Sequence, residues 1–176
     1  VFATAGADII TVTSGIFDNQ GTLQVAHAGT SILNTTYTST TSVIDIQSGA
    51  LNFGGNTLTL GTGEVLQSGV SGTFIGDVVN NSGTVNPGGA GSIGTLSITG
   101  NFTQTANGLL DIDVTSPTTA GTTYDLLNVT GIATLDGTLT MVDQGYSPLT
   151  NDTFTPLTYA TVSGAFALVD SVISTS

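Results

Sequence analysis

The sequence predicts an all-β protein, with a right-handed parallel β-solenoid (β-helix) as the first choice of architecture and a β-sandwich as the alternative. Three observations support this prediction: short apolar runs alternate with period 2, helix-favouring residues are scarce, and a glycine-centred motif recurs along the chain. The length of 176 residues fits one domain, residues 1–176, with possible halves at 1–85 and 86–176.

The alternating runs predict strands along most of the chain. Apolar side chains at every second position place one face of a strand in a core, and most of these runs end near glycine, a typical turn residue. The stretch 165–173 is compatible with a strand or with a short helix. The clearest runs surround Ile10, Leu23, Ile44, Leu51, Leu58, Leu96, Leu110 and Leu135.

A weak internal repeat favours the solenoid over the sandwich. It consists of a small or polar residue, a glycine, one variable residue and an aliphatic residue. Repeats of about 20 to 50 residues are typical of solenoids, in which each unit buries its apolar face only against the next unit. The glycines of this motif lie 25 to 34 residues apart, at Gly21, Gly49, Gly83, Gly108 and Gly137.

The run from Asn86 to Gly91 is the clearest break in the strand pattern and predicts a turn between the two possible halves. Its glycines are similar to those of calcium-binding nonapeptide repeats. That motif needs an aspartate two residues after the last glycine, and Ile93 stands there. The match fails, and a turn is the better interpretation.

The charge pattern decides most about function. The chain has no lysine or arginine, 12 acidic residues and one histidine, for a formal charge of −12. No side chain can therefore clamp a phosphate, neutralise a nucleic-acid backbone or form a Schiff base. We expect no nucleic-acid binding, no membrane insertion, no enzymatic activity and no catalytic or cofactor-binding residues.

Asp111 and Asp113 are the strongest candidate for site chemistry. They lie on one predicted strand, on the face opposite Leu110, Ile112 and Val114. Such a pair is compatible with a calcium site, which makes calcium the one possible cofactor, or with the acid and base of a glycosidase. The favoured interpretation is the solvent-exposed face of a strand.

Two other polar features carry weaker predictions. His27 is in phase with Leu23 and Val25, and without cysteine or a second histidine it is expected to be a hydrogen-bonded strand residue and not a zinc ligand. Five N-x-[ST] sequons could carry glycans on a surface protein. They begin at Asn34, Asn80, Asn101, Asn128 and Asn151.

From residue 80 to residue 166 the chain resembles the C-terminal passenger region of autotransporters and of filamentous-haemagglutinin-like bacterial surface β-helix proteins. The similarity is clearest at 82–104 (SGTVNPGGAGSIGTLSITGNFTQ) and continues through GLLDIDV, YDLLNVTG, LDGTL and VSGAF. The resemblance implies a β-helix, export to the cell surface and a role as stalk, adhesin or fibre. It brings no catalytic residues with it.

These observations lead to one functional expectation and one alternative. We expect an extracellular, non-enzymatic structural protein that self-associates into fibres by strand addition at residues 8–17 and 165–173. The alternative is an adhesin or glycan-binding passenger module. A cluster of C-terminal aromatic residues is expected to close the core at that end, namely Tyr124, Tyr146, Phe154, Tyr159 and Phe166.

Overall fold

The computed structural model describes residues 11–147 and 149–173, and within these residues it contains strands and turns but no helix. Every pairing between its strands is parallel, and the strands build long stacked sheets. The predicted parallel β-solenoid is therefore confirmed. The β-sandwich alternative is wrong, since sandwiches pack two antiparallel sheets face to face.

Nineteen strands lie in the described part of the chain. They are β1 (Thr11–Val12), β2 (Ile16–Asn19), β3 (Thr22–Leu33), β4 (Thr36–Ser39), β5 (Val43–Asn52), β6 (Leu58–Leu60), β7 (Val65–Ser68), β8 (Ser71–Ile75), β9 (Val78–Asn80), β10 (Thr84–Asn86), β11 (Thr95–Thr99), β12 (Phe102–Gln104), β13 (Leu109–Val114), β14 (Leu126–Val129), β15 (Ile132–Leu135), β16 (Thr138–Asp143), β17 (Leu157–Thr158), β18 (Thr161–Gly164) and β19 (Leu168–Ile173).

The chain winds through three faces in a fixed order. Face B holds β1, the second halves of β3 and β5, and then β8, β11, β14 and β17. Face C holds two separate sheets, a two-stranded one of β2 and β4 and a five-stranded one of β6, β9, β12, β15 and β18. Face A holds the first halves of β3 and β5, and then β7, β10, β13, β16 and β19. Faces A and B form one 12-stranded sheet, because β3 and β5 run round the corner between them.

Counting β3 and β5 on both faces, the nineteen strands make seven coils of three segments, each passing through faces B, C and A in turn. The corner inside β5 depends on Gly49, whose φ of 69° is one that residues with a side chain rarely adopt. A Cβ at this position would lie 2.1 Å from the backbone oxygen of His27. Only glycine lets the two long strands approach there.

The strand register corrects the predicted repeat. Consecutive coils place one residue above another on face A at steps of 19 to 30 residues, along the column Thr22, Val43, Val65, Thr84, Leu109, Thr138 and Leu168. The predicted glycines Gly21, Gly83, Gly108 and Gly137 each stand just before a member of this column. Gly49 does not, since it lies at the β5 corner, and the face A segments that begin after Ser42, Glu64 and Ala167 have no glycine directly before them.

Glu64 shows how a face A segment can begin without a glycine before it. Its side chain is buried, at 6% exposure. One carboxylate oxygen accepts the Gly61 N–H at 2.6 Å, and the other accepts the hydroxyl of Ser39. A buried carboxylate is tolerated when donors satisfy it. Glu64 thus fixes its turn through hydrogen bonds, whereas a glycine occupies the equivalent position in four other turns.

The core is a set of aliphatic and aromatic columns inside the three faces. One column of inward-facing residues runs along face A through the first six coils, and each of its members is at most 7% exposed. Its members are Leu23, Ile44, Leu66, Val85, Leu110 and Leu139. The aromatic rings of Tyr37, Phe53 and Phe74 form a second stack, with centroids 5.5 and 4.8 Å apart. Full burial of one such side chain contributes roughly 1.5–3 kcal/mol.

The predicted break after residue 85 is a turn, with no interruption of the sheets. The turns at residues 87–88 and 90–91 confirm the interpretation of the glycine run. Strand β10 pairs with β7 on one side and with β13 on the other, so the core continues through this point. At the C-terminal end, the strand option for 165–173 is confirmed, because β19 pairs with β16.

Candidate functional site

Asp111 and Asp113 lie on β13 with their side chains outside the aliphatic core, but Asp113 is not exposed to solvent. It is 3% exposed, so the prediction of a solvated strand face is wrong at this position. The reason is that the glycine-rich turn folds over it. The Gly91 N–H donates to one carboxylate oxygen at 2.7 Å, and the Gln144 amide donates to the other at 2.5 Å.

Asp125 completes an acidic cluster with Asp111 and Asp113, and sequence reasoning missed it. Its side chain is fully buried. One oxygen accepts the Gly94 N–H and the other accepts the Asp113 N–H, both at 2.8 Å. The sequence does show that Asp125 stands directly before the apolar strand β14. Its burial could not be predicted from that position, because the hydrogen-bond donors Gly94 and Asp113 lie 31 and 12 residues away in the sequence.

Burial dominates the electrostatics of this cluster. It raises the pKa of Asp125 to about 8, and the charges of Asp113 and Asp111 add to the rise against the lowering effect of the two backbone N–H groups. Burial, followed by the charge of Asp113, also raises the pKa of Asp111. The cluster therefore holds a proton near neutral pH and ties the glycine-rich turn to β13 and β14.

The geometry bears on the calcium hypothesis for Asp111 and Asp113. Within residues 11–147 and 149–173, no three histidine, aspartate or glutamate side chains group so as to hold a metal ion. Both Asp113 oxygens accept protein donors. Asp111 accepts an amide proton of Asn86 at 3.3 Å, and the Asn86 Oδ1 is buried without a hydrogen-bond partner. A calcium ion at the pair would have to compete with these donors.

His27 is a hydrogen-bonded strand residue, as predicted. It is 3% exposed at the corner of β3. Its Nδ1 accepts the Gly29 N–H at 2.9 Å, so the ring proton sits on Nε2, which lies 2.9 Å from the Ser31 hydroxyl. Both nitrogens are engaged in shaping the corner.

The five sequons fall into different environments. Asn80 is fully buried, and its amide contacts Gln104, Leu109 and Gly83. A glycan at Asn80 is incompatible with this fold, which corrects that part of the prediction. Asn128 is half-buried and accepts the Thr158 hydroxyl at 2.8 Å. The exposed sequon residues are Asn34, Asn101 and Asn151.

The C-terminal aromatic residues close the core only in part. Tyr124 is 6% exposed and meets Phe154 edge-on at 5.3 Å, and Tyr146 contacts Phe154 at 6.5 Å. Phe166 is half-buried against the core. Tyr159 is 45% exposed, so it does not take part in closure as predicted.

The last coil leaves core positions open to solvent. Val169 continues the column of Leu110 and Leu139 but is 63% exposed, against 0% and 7% for those two. Val162 continues the column of Ala133 and is 44% exposed, against 0%. Within the described residues, β17, β18 and β19 each pair with a strand on one side only. The last described coil thus presents an apolar, partly unpaired surface.

No protein-family model, curated protein or solved structure matches this chain. The described residues also include no helix that is long and apolar enough to cross a membrane.

Proposed function

We propose that this protein is a non-enzymatic, extracellular structural subunit that assembles into surface fibres by stacking its coils. The main observation behind this proposal is the last described coil. Val162 and Val169 are exposed there although they occupy core positions, and each described strand of this coil is paired on one side only. In repeat proteins, a coil with an apolar outer surface is stabilised when another layer covers it. Apolar residues in that place suit a surface that another coil covers.

The negative charge of the chain favours fibres that do not associate side by side. Twelve acidic groups and no basic ones give every copy the same sign of charge, so the sides of neighbouring fibres repel one another. Contact at the ends can overcome this repulsion because it buries apolar area and pairs backbone groups. Growth along the solenoid axis is thereby favoured over side-by-side aggregation.

The extracellular location rests on the resemblance of residues 80–166 to autotransporter passenger regions and on the composition. A chain without lysine or arginine has no cleavage site for trypsin-like proteases. This resistance suits a protein that works outside the cell.

The test is a matched pair of aspartate substitutions. Val169→Asp places a carboxylate at the proposed contact, whereas Val70→Asp places one at a side position that is 77% exposed. We expect Val169→Asp to abolish fibres in electron microscopy and to sediment as a monomer, and Val70→Asp to assemble as the unmodified protein does. Circular dichroism should show both variants folded, because neither position is buried. An unmodified protein that stays monomeric at high concentration and in 0.5 M salt, about a 4 Å screening length, would overturn the proposal.

A second candidate function, a glycan-binding module, is favoured by a groove on the side of the solenoid. The groove lies between β7 and the glycine-rich turn and is lined by Gln47, Gln67, Val70, Ser92 and Ile93. Gln67 faces the turn where Gly89 leaves space beside its amide. Amide groups beside apolar side chains can bind hydroxyl-rich ligands. Saturable, sugar-specific binding that Gln67→Ala removes without unfolding would support this function, and a blank glycan array would count against it.

A further inference from the structure

The groove beside β7 lies at the corner between faces A and B, in the middle coils of the solenoid. Its volume is about 340 Å³, which falls in the range of roughly 300–1,000 Å³ that is typical of small-molecule sites. No charged side chain lines it, although the chain carries 12 acidic residues. A neutral groove in so acidic a chain points to an uncharged ligand.

The glycine-rich turn that forms one wall of the groove has few backbone donors left for an anion. Successive N–H groups of such turns can form a concave anion site. Here most of them already donate within the protein. The N–H groups of Gly89 and Ser92 donate to backbone carbonyls. Three others donate to buried side chains, namely Gly88 to Ser68, Gly91 to Asp113 and Gly94 to Asp125.

Two buried carboxylates stand directly behind the lining of the groove. Asp45 accepts the amide of Gln47, which lines the groove, at 2.7 Å. Asp113 accepts the Gly91 N–H of the opposite wall, also at 2.7 Å. The chain contains no lysine or arginine to offset them. A ligand with a carboxylate, sulfate or phosphate group would therefore meet repulsion without a compensating cation.

Gln67 gives the groove a free hydrogen-bonding group. It stands between Asp45 and Asn86 on neighbouring strands of face A. The amides of Gln24 and Gln47 already donate to the two oxygens of Asp45, at 2.8 and 2.7 Å. The Asn86 amide is directed at Asp111 on the next strand. Among the described residues the Gln67 side chain has no hydrogen-bond partner, so its donors and its acceptor remain available to a ligand.

We propose that this groove binds uncharged glycans and discriminates against glycans that carry carboxylate, sulfate or phosphate groups. The proposal rests on the glycan-binding function proposed above and narrows its ligand. The Gln67 amide presents an N–H donor and a carbonyl acceptor side by side, which matches two neighbouring hydroxyl groups of a sugar. Val70, which is 77% exposed, and Ile93 supply apolar contacts for the C–H face of the sugar ring.

A glycan array that pairs each neutral oligosaccharide with its uronate counterpart tests the charge selectivity, and titration calorimetry measures the affinities. A chelator is present so that no divalent cation bridges the carboxylates. We expect a neutral oligosaccharide to bind about tenfold or more tightly than its uronate counterpart. Gln67→Ala should weaken this binding about tenfold, because it removes two hydrogen bonds to the ligand. Gln67→Lys should strengthen uronate binding about tenfold, because it places a cation in the groove.

Gln24→Ala is the matched control, because Gln24 belongs to the same face A column but lies two strands away from the groove. It should bind as the unmodified protein does, and circular dichroism should show all variants folded. Equal binding of neutral and uronate glycans that Gln67→Ala weakens would overturn the selectivity and leave the glycan-binding function standing. Binding that Gln67→Ala leaves intact would overturn the assignment to this groove. The absence of binding to every glycan would overturn both proposals.

Discussion

The two ends of the solenoid use the same columns but bury them differently. At the N-terminal end, Leu23 and Val25 are 4% and 1% exposed, although their strand segment pairs with only one described strand. At the C-terminal end, Val169 is 63% exposed in the same column as Leu23. Burial inside a coil therefore does not follow from the residue alone. The same column is closed to solvent in the first coil and open in the last described coil, and this contrast distinguishes the two regions.

The largest effect is expected in the pH dependence of the free energy of unfolding, which depends on a buried carboxyl group in the coils nearer the C-terminal end. The folded-state pKa of Asp125 is about 8, against an ordinary value of 3.8. Between those values the folded state holds more protons than the unfolded state, so the free energy of unfolding decreases as the pH rises through this window and levels off above it. The limiting slope for one proton is about 1.4 kcal/mol per pH unit.

Urea denaturation from pH 4 to pH 9 measures this dependence, and hydrogen exchange locates it. We expect protection to be lost first around β13 and β14, in the coils nearer the C-terminal end. Asp125→Asn cannot titrate and should flatten the profile. An unchanged slope in that variant would show that the proton is held elsewhere.

Truncating the shared column at each end tests the contrast directly. We expect Leu23→Ala to lower the free energy of unfolding by about 3 kcal/mol, because it opens a cavity in a packed core. Val169→Ala should cost less than about 1 kcal/mol in the monomer, because that side chain is already exposed. Urea denaturation at protein concentrations too low for assembly measures both free energies of unfolding. Equal decreases in the two variants would contradict the comparison.

Glycines with similar geometry near the two ends should respond differently to alanine. Gly49 and Gly164 both have positive φ, 69° and 73°, and an added Cβ would lie 2.1 and 2.3 Å from a backbone oxygen. We expect Gly49→Ala to cost about 3 kcal/mol, since β5 is paired on both sides and cannot move. Gly164→Ala should cost about 1 kcal/mol, because β15 is the only described strand that pairs with β18, which can therefore shift.

Thermal unfolding ranks these two variants, with Gly21→Ala as the control. A Cβ at Gly21 meets no atom within 4 Å, so that substitution should be close to neutral. If Gly164→Ala were as destabilising as Gly49→Ala, the last coil would be held as firmly as the early ones.

The sequence by itself determined the fold class. Period-2 alternation around residues such as Leu23 and Leu110 predicted strands, and the glycines before Thr22, Thr84, Leu109 and Thr138 marked the starts of four face A segments. These signals are local, because a strand's alternation and a turn's need for a small residue are both set within a few residues. The absence of cations, which limits the chemistry of the chain, was also determined by composition alone.

Only the tertiary structure decided what depends on contacts between coils. It showed that Gly49 is a corner, that Glu64 fixes the turn before β7, that Asn80 and Asp113 are buried, and that Asp125 is held by Gly94 and β13. Each of these outcomes depends on a partner 12 to 31 residues away or on the presence of a covering layer. Register between coils is a long-range property, so no short window of the sequence contains it.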